Sequence, residues 1–230
     1  MKKQQALDSL KGGLIVSCQA LRGEPLYLEQ GGVMPRIAAA MQGVGAAGIR
    51  CNSERDIREI RAAVELPLIG LIKQRYEGYF PYITPTLKEV EAVVRAGADI
   101  VAVDATASMH PGGLRADEFI RQIKEKYDIL VMADISTEEE AQAALRAGAD
   151  LVGTTMAGYT PYTVAGDGPD FELLQRLVRC LACPVVGEGR VHTPAQAKRA
   201  LQLGAFAVVV GGAITRPQEI AQRFIKEVFA

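Results

Sequence analysis

A chain of 230 residues, 49% hydrophobic and 23% charged, is long enough to bury a full core, and α/β barrels of this length form one domain, which predicts a single domain over residues 1–230. A formal charge of −1 supplies no basic field for nucleic acid or an anionic membrane surface, so any anion has to be bound locally. No apolar run approaches the ~18 residues of a membrane span, and the opening MKKQQALDSLKGG is too polar for a secretory signal, so a cytoplasmic protein is expected.

In chain order, eight short apolar stretches read as strands: Leu14–Cys18, Gly48–Cys51, Leu68–Ile72, Ile100–Val103, Ile129–Ala133, Leu151–Gly153, Val185–Gly187 and Ala207–Val210. Their near-continuous apolar character suits strands covered on both faces, hence a parallel sheet with helical crossovers. Between them lie helical patterns, and three of these align without gaps, starting at Thr86, Thr137 and Thr193. Each begins with Thr and carries Glu or Gln three residues later, a capping box in which both side chains satisfy orphan helix N–H groups. Apolar positions then recur at helical spacing, as in Val90, Val93 and Val94, and a glycine closes each helix near Gly97, Gly148 or Gly204. The segments recur about fifty residues apart, so each period holds two strand–helix units and eight units fit the chain. This predicts an α/β fold of the (β/α)8 TIM-barrel type, with a doubly wound open sheet as the alternative.

In such a barrel the chemistry sits at the C-terminal ends of the strands. Strand 1 delivers Ser17, Cys18 and Gln19, strand 2 Arg50 and Asn52, strand 3 Lys73, strand 4 Asp104 and Thr106, and strand 5 Asp134. Strand 6 is followed by Thr154, Thr155, Tyr159 and Thr160, and strand 7 by Glu188. The last two strands end in glycine-containing turns: Gly187, Glu188, Gly189 and Arg190 after one, Gly211 and Gly212 with Thr215 and Arg216 after the other. Glycines let backbone N–H groups approach an anion, a helix end adds positive partial charge, and Arg216 adds a full one. Two adjacent turns of this kind make a phosphate clasp of Gly189, Gly211, Gly212 and Arg216.

Lys73 and Glu188 follow strands four apart in an eight-stranded barrel, so they stand on opposite walls and can face one another across the mouth. Such a pair can remove a proton from a ligand and return it. A lysine serves as base near neutral pH only if desolvation or a neighbouring cation such as Arg50 lowers its pKa. Lys73 can alternatively form a Schiff base, as in barrel aldolases, or simply pair with Asp104 or Asp134. Glu188 can alternatively orient a loop, and the whole barrel can be a non-catalytic phosphosugar binder.

The motifs SCQA with EPL, GIRCNS, IGLIK followed by YITPT, DAT, MADIST, TTMAGYT, EGR with TP, and VVVGGAITRP span about residues 13–217. In this order they strongly resemble the N-acetylmannosamine-6-phosphate 2-epimerase family. The resemblance implies a barrel that interconverts N-acetylmannosamine 6-phosphate and N-acetylglucosamine 6-phosphate during use of sialic acid and amino sugars. It implies that Lys73 transfers the proton with Glu188 as its acidic companion, that Gln19, Arg50 and Asp134 contact the sugar and its acetamido group, and that Arg216 binds phosphate. Thr155 and Tyr159, in TTMAGYT, are further candidate substrate contacts. Epimerising C2 needs no hydride or redox step and the chain shows no nucleotide fingerprint, so no cofactor and no metal is expected. One departure stands after strand 4, where an Arg-Pro loop is expected and the chain has DATASMHPGG with His110.

Four cysteines are too few for a disulfide framework. Cys180 and Cys183 form a lone CLAC, read as buried packing rather than zinc or redox chemistry, and Cys18 and Cys51 are expected to be partly accessible at strand ends. His192 reads as a loop residue. Tyr76, Tyr79, Phe80 and Tyr82 form a lid that excludes water, or else pack the barrel rim or a subunit interface, and the charges of Arg55–Arg61 read as a solvated helix face. The apolar C-terminal helix ending IKEVFA offers a surface for a homodimer.

Overall fold

The computed structural model describes residues 2–229. Eight parallel strands close into a barrel in chain order: β1 (Leu14–Cys18), β2 (Gly48–Asn52), β3 (Leu68–Leu71), β4 (Ile100–Asp104), β5 (Leu130–Asp134), β6 (Leu151–Gly153), β7 (Val185–Gly187) and β8 (Ala207–Val210), with β8 returning to pair with β1. The helices are α1 (Lys3–Leu10), α2 (Val33–Gly43), α3 (Glu54–Ala63), α4 (Leu87–Arg95), α5 (Ala116–Lys126), α6 (Glu138–Arg146), α7 (Phe171–Cys180), α8 (Pro194–Gln202), α9 (Gly212–Thr215) and α10 (Pro217–Val228). All eight expected strands are present, which excludes the open sheet. None of these helices is long and apolar enough to cross a membrane.

The aligned helices start as the repeat predicts. Thr86 with Glu89, Thr137 with Glu140 and Thr193 with Gln196 each make a reciprocal capping box at the head of α4, α6 and α8. Gly97, Gly148 and Gly204 close the same helices at φ of 92°, 102° and 97°, a region where a side chain would be strained.

Strand pleating divides the apolar residues into two cores. Outward-facing Val16, Ile49, Val101, Val131 and Val208 pack under the helix ring with residues such as Ile57, Val90, Ile120 and Leu177. Inward-facing Ile15, Ile69, Leu71, Ala102, Met132, Val186 and Val209 fill the barrel. α1 is not among the expected elements; its Ala6 and Leu10 are wholly buried in the interior core and close the N-terminal end. Gly48 makes room for it, because a methyl group there would overlap the Leu10 side chain.

The same alternation builds the site. Two residues beyond an inward apolar position the chain again faces inward, so Leu71 leads to Lys73, Ala102 to Asp104, Met132 to Asp134 and Val186 to Glu188. Register sets Ser17 beside Arg50 and Asp104 beside Asp134. The upper layer of the barrel is therefore polar where the layers below are apolar.

Three expectations are corrected. Cys18 and Cys51 are buried rather than accessible, because both face the outer core, and burial pushes the Cys18 thiol up to about 12. In CLAC, Cys180 is exposed and Cys183 half-buried, so the pair is not buried packing; both thiols are free. The Arg55–Arg61 stretch is not simply a solvated face: Arg55 donates to the carbonyls of Leu28 and Glu29 and stacks on Tyr27, and Arg61 bonds Asp99. α10 buries none of its side chains, and Phe224 and Phe229 are 69% and 82% exposed.

Candidate active site

A cavity of about 350 Å³ opens at the C-terminal end of the barrel, lined by Ser17, Gln19, Arg50, Lys73, Tyr82, Thr155, Tyr159, Glu188, Gly189, Arg190, Gly211, Gly212 and Arg216, among others. Its floor is an ion cluster. Arg50, only 1% exposed, donates Nη1 to Asp134 Oδ1 at 3.1 Å and Nη2 to Asp134 Oδ2 at 2.6 Å, and its Nη1 also lies 3.2 Å from Glu188 Oε2. The Thr155 hydroxyl stands between the two carboxylates, 2.6 Å from Asp134 Oδ1 and 3.1 Å from Glu188 Oε2. Asp134 itself is wholly buried and does not line the cavity: it lies beneath the floor, hydrogen-bonded to Arg50 and Thr155.

Lys73 continues β3 beyond its last ladder pair. Its backbone N–H donates to Asn52 Oδ1 at 2.8 Å, and an antiparallel bridge to Ile83 holds it from the other side. The aromatic segment that follows is mostly rim packing: Tyr76 donates to Glu89, and Phe80 and Tyr82 pack against the interior core, with Tyr82 also reaching the cavity. Among the described residues Lys73 makes no ion pair, with Asp104, Asp134 or any other carboxylate. Its ammonium is lowered to about 8, first by burial and then by the nearby Arg50 and Arg216 charges. Glu188 is raised to about 7, first by burial, with Asp134 adding and Arg50 opposing. Removal from water thus moves the amine and the carboxyl toward one another and toward neutral pH.

The far wall is built from glycine turns. Gly189, at φ 108°, Gly211 and Gly212 leave backbone exposed to the cavity, and Arg216 stands beside them. Thr215 ties this turn to β1 by donating its hydroxyl to the Ser17 carbonyl at 2.8 Å. Arg216 donates Nη2 to Glu24 Oε1 at 2.9 Å and lies 3.5 Å from Glu219.

Two groups lining the cavity have unused hydrogen-bonding capacity. Gln19 donates its amide to Ser17 Oγ at 2.9 Å, while its Oε1, buried, has no partner; Arg50 Nε likewise has none.

Residues 34–230 match the sequence model of a family described as "Putative N-acetylmannosamine-6-phosphate epimerase". The chain belongs to this family. A relative from Caldanaerobacter subterraneus subsp. tengcongensis is 55% identical over 95% of this chain and 92% of its own. One from Clostridioides difficile is 49% identical over 96% and 98%. Both carry the name "Putative N-acetylmannosamine-6-phosphate 2-epimerase". The solved structure of the N-acetylmannosamine-6-phosphate 2-epimerase from Clostridium perfringens superposes with a TM-score of 0.91 at 47% identity, covering 96% of this chain and 95% of that one. A thiamine phosphate pyrophosphorylase from Pyrococcus furiosus, at TM-score 0.61 and 18% identity, shares the fold alone.

Within this family member, Gln19, Arg50, Lys73, Thr155, Tyr159, Glu188, Gly189, Gly211, Gly212 and Arg216 line one cavity and Asp134 bonds to Arg50 and Thr155 directly beneath it, whereas Asn52, Asp104, Thr106, Thr154 and Thr160, also at strand ends, do not line it. Sequence reasoning gave no role to Arg190. Its guanidinium donates to the carbonyls of Ala157 and Gly168 at 2.8 and 3.0 Å and lies 5.0 Å from the Tyr159 ring, tying the β6–α7 loop to the cavity wall. The signal available was its place in EGR directly after a strand end. The loop that departs from the family pattern is anchored from below: His110 is wholly buried, with its ring nitrogens 3.0 and 2.9 Å from the Pro85 and Asp104 carbonyl oxygens. It does not line the cavity. His192 is an exposed loop residue at the cavity edge.

Proposed function

We propose that this protein is an isomerase, one (β/α)8 catalytic domain that interconverts N-acetylmannosamine 6-phosphate and N-acetylglucosamine 6-phosphate at C2, in the use of sialic acid and amino sugars. The observation that carries the reading is that Lys73 and Glu188, with values brought to about 8 and about 7, line one cavity whose other wall holds Gly211, Gly212 and Arg216. An amine and a carboxyl poised near neutrality are suited to moving protons, and the glycine turns with Arg216 are suited to a phosphate.

The chemistry constrains the roles. The C2 hydrogen becomes acidic only when the ring opens and C1 is an aldehyde. Glu188 gives its proton to the ring oxygen as the C1–O5 bond breaks and takes up the C1 hydroxyl proton, leaving the aldehyde. Lys73 as free amine takes the C2 proton and gives it up to solvent, and a solvent proton returned to the opposite face of C2 completes inversion before the ring closes. The enolate that forms between these steps gathers negative charge on O1, and Arg50, buried with Nε unpartnered, is the nearby cation able to stabilise it. The buried Gln19 Oε1, without a partner, supports a role as acceptor for the acetamido N–H. Tyr159 and Thr155 complete the sugar pocket, and Gly189, Gly211, Gly212 and Arg216 hold the phosphate. Every step is proton transfer on the substrate itself, and none calls for a cofactor. A phosphorylated substrate that cannot cross a bilayer unaided suits a cytoplasmic enzyme. The unpartnered apolar face of α10, and an apolar groove of about 400 Å³ beside α8 and β8, support a homodimer.

The test is incubation with either sugar phosphate in deuterated water. C2 exchanges its hydrogen and both epimers appear, and Lys73→Ala and Glu188→Gln each lower the rate by roughly 10²–10⁴-fold. A borohydride-trapped adduct on Lys73 with cleavage of the sugar would instead assign an aldolase, and tight binding without exchange a mere binder.

A further inference from the structure

The phosphate end of the cavity holds a carboxylate that no step of the reaction uses. Glu219, in the first turn of α10, lines the cavity and lies against Gly212, where a Cβ would fall only 2.0 Å from its Oε2. It is also 3.5 Å from Arg216 Nε. Gly212 and Arg216 are therefore both covered by the same carboxylate. Taking the assignment of these two residues to phosphate as given, we propose that Glu219 occupies the phosphate seat of the empty enzyme and must swing out when the sugar phosphate enters, so that it sets both affinity and release at that end.

Of the two acids around Arg216, Glu219 is the less tightly held. Glu24 is anchored: its Oε2 accepts from the Leu21 backbone N–H at 2.9 Å while its Oε1 accepts from Arg216 Nη2 at 2.9 Å. Glu219 has only the longer contact to Arg216, its side chain is 41% exposed, and it sits on a helix with no buried residue. With both acids in place the trio carries net negative charge, which repels a phosphate dianion; with Glu219 withdrawn the remaining Arg216–Glu24 pair is neutral and the Gly212 backbone is open. A neutral hydroxymethyl group gives Arg216 no reason to exchange partners, whereas a dianion does. Inorganic phosphate, lacking the sugar contacts, has to displace Glu219 unaided.

The experiment is titration of inorganic phosphate into the full-length wild type and its Glu219→Gln, Arg216→Ala and doubly substituted variants, by calorimetry and without substrate turnover. Glu219→Gln keeps the shape of the side chain at a partly exposed position, so its unfolding temperature serves as the control. Its dissociation constant for phosphate is expected to fall by roughly three- to tenfold. That gain should vanish when Arg216 is also replaced. Equal affinity in wild type and Glu219→Gln, with binding lost in Arg216→Ala, would overturn the role of Glu219 while leaving the seat in place. Phosphate binding indifferent to Arg216 would remove the seat and the proposal with it.

Discussion

Arg50 and Asp134 meet through two parallel hydrogen bonds, 3.1 and 2.6 Å long, at the closed end of the cavity, with both side chains removed from water. A buried pair of this kind contributes little net stability over an apolar pair, but removing Asp134 leaves the buried Arg50 with only its single carboxylate contact, to Glu188 at 3.2 Å. Asp134→Ala is therefore expected to lower stability by roughly 3–5 kcal/mol. The double variant Arg50→Met, Asp134→Leu should recover most of that loss in urea unfolding while remaining inactive. If the double variant unfolds as readily as the single one, the charge account is wrong and packing at this layer is the dominant effect.

Lys73 and Glu188 fix the pH dependence. A lysine that accepts the C2 proton works as free amine, a fraction that grows as pH rises through about 8. A carboxyl that donates to the ring oxygen works protonated, a fraction that shrinks as pH rises through about 7. The acid has the lower value, so only a minority of molecules holds both working forms, and their fraction is level between the two values. The profile of kcat/KM should bend near 7 and again near 8, with the bends belonging to the coupled pair. Arg216 is one of the cations that lower Lys73, so Arg216→Ala should move the upper bend to higher pH. A profile without bends across that interval would refute the division of roles.

Much of this site was legible because the pleat obeys a period of two. Once Leu71, Met132 and Val186 are placed inside the barrel, Lys73, Asp134 and Glu188 follow on the same face, and each is the first polar residue after an apolar run. The glycine turns were legible for the same reason, as interruptions directly after strands. Depth was not: Asp134 ends β5 and Glu188 directly follows β7, yet a threonine and an arginine close over the former and leave the latter facing the cavity. The role of Arg190 also escaped, because it depends on carbonyls of Ala157 and Gly168 that approach only after the β6–α7 loop folds back. α1 escaped because its polar sequence buries only Ala6 and Leu10 fully, with Leu7 packed at the edge of the core.

α10 makes a prediction about assembly. Phe224, Ile225 and Val228 are 69%, 58% and 69% exposed and lie on neighbouring turns of one face. An exposed aromatic of this size offers roughly 150–250 Å² of area to bury. The apolar groove lined by Leu14, Ala197, Leu201 and Val208 is open on the same molecule. Sedimentation should show a dimer for the wild type and a monomer for Phe224→Glu. A wild-type monomer at micromolar concentration would show that the two surfaces do not serve self-association.

Asp104 gives a stability test whose sign is fixed. It is wholly buried beside Asp134 in the ladder; its Oδ1 accepts from the Thr106 backbone and hydroxyl at 3.1 and 2.7 Å, while its Oδ2 has no partner. Burial raises it from 3.8 to about 6. The folded state thus holds this proton more tightly than the unfolded chain, so its stabilising contribution is complete below 3.8 and is lost as pH rises through about 6. A shift of this size corresponds to at most about 3 kcal/mol. Asp104→Asn cannot ionise and keeps an acceptor for Thr106, so it should be more stable than wild type at alkaline pH, with the advantage shrinking as pH falls through about 6. Glu188, also raised, adds a loss in the same direction at slightly higher pH, which is why the difference between variant and wild type, rather than the wild-type curve, isolates Asp104. Urea midpoints compared on either side of that value decide the matter: an advantage independent of pH would mean that the amide relieves packing or hydrogen bonding and that the carboxyl is not the strained group.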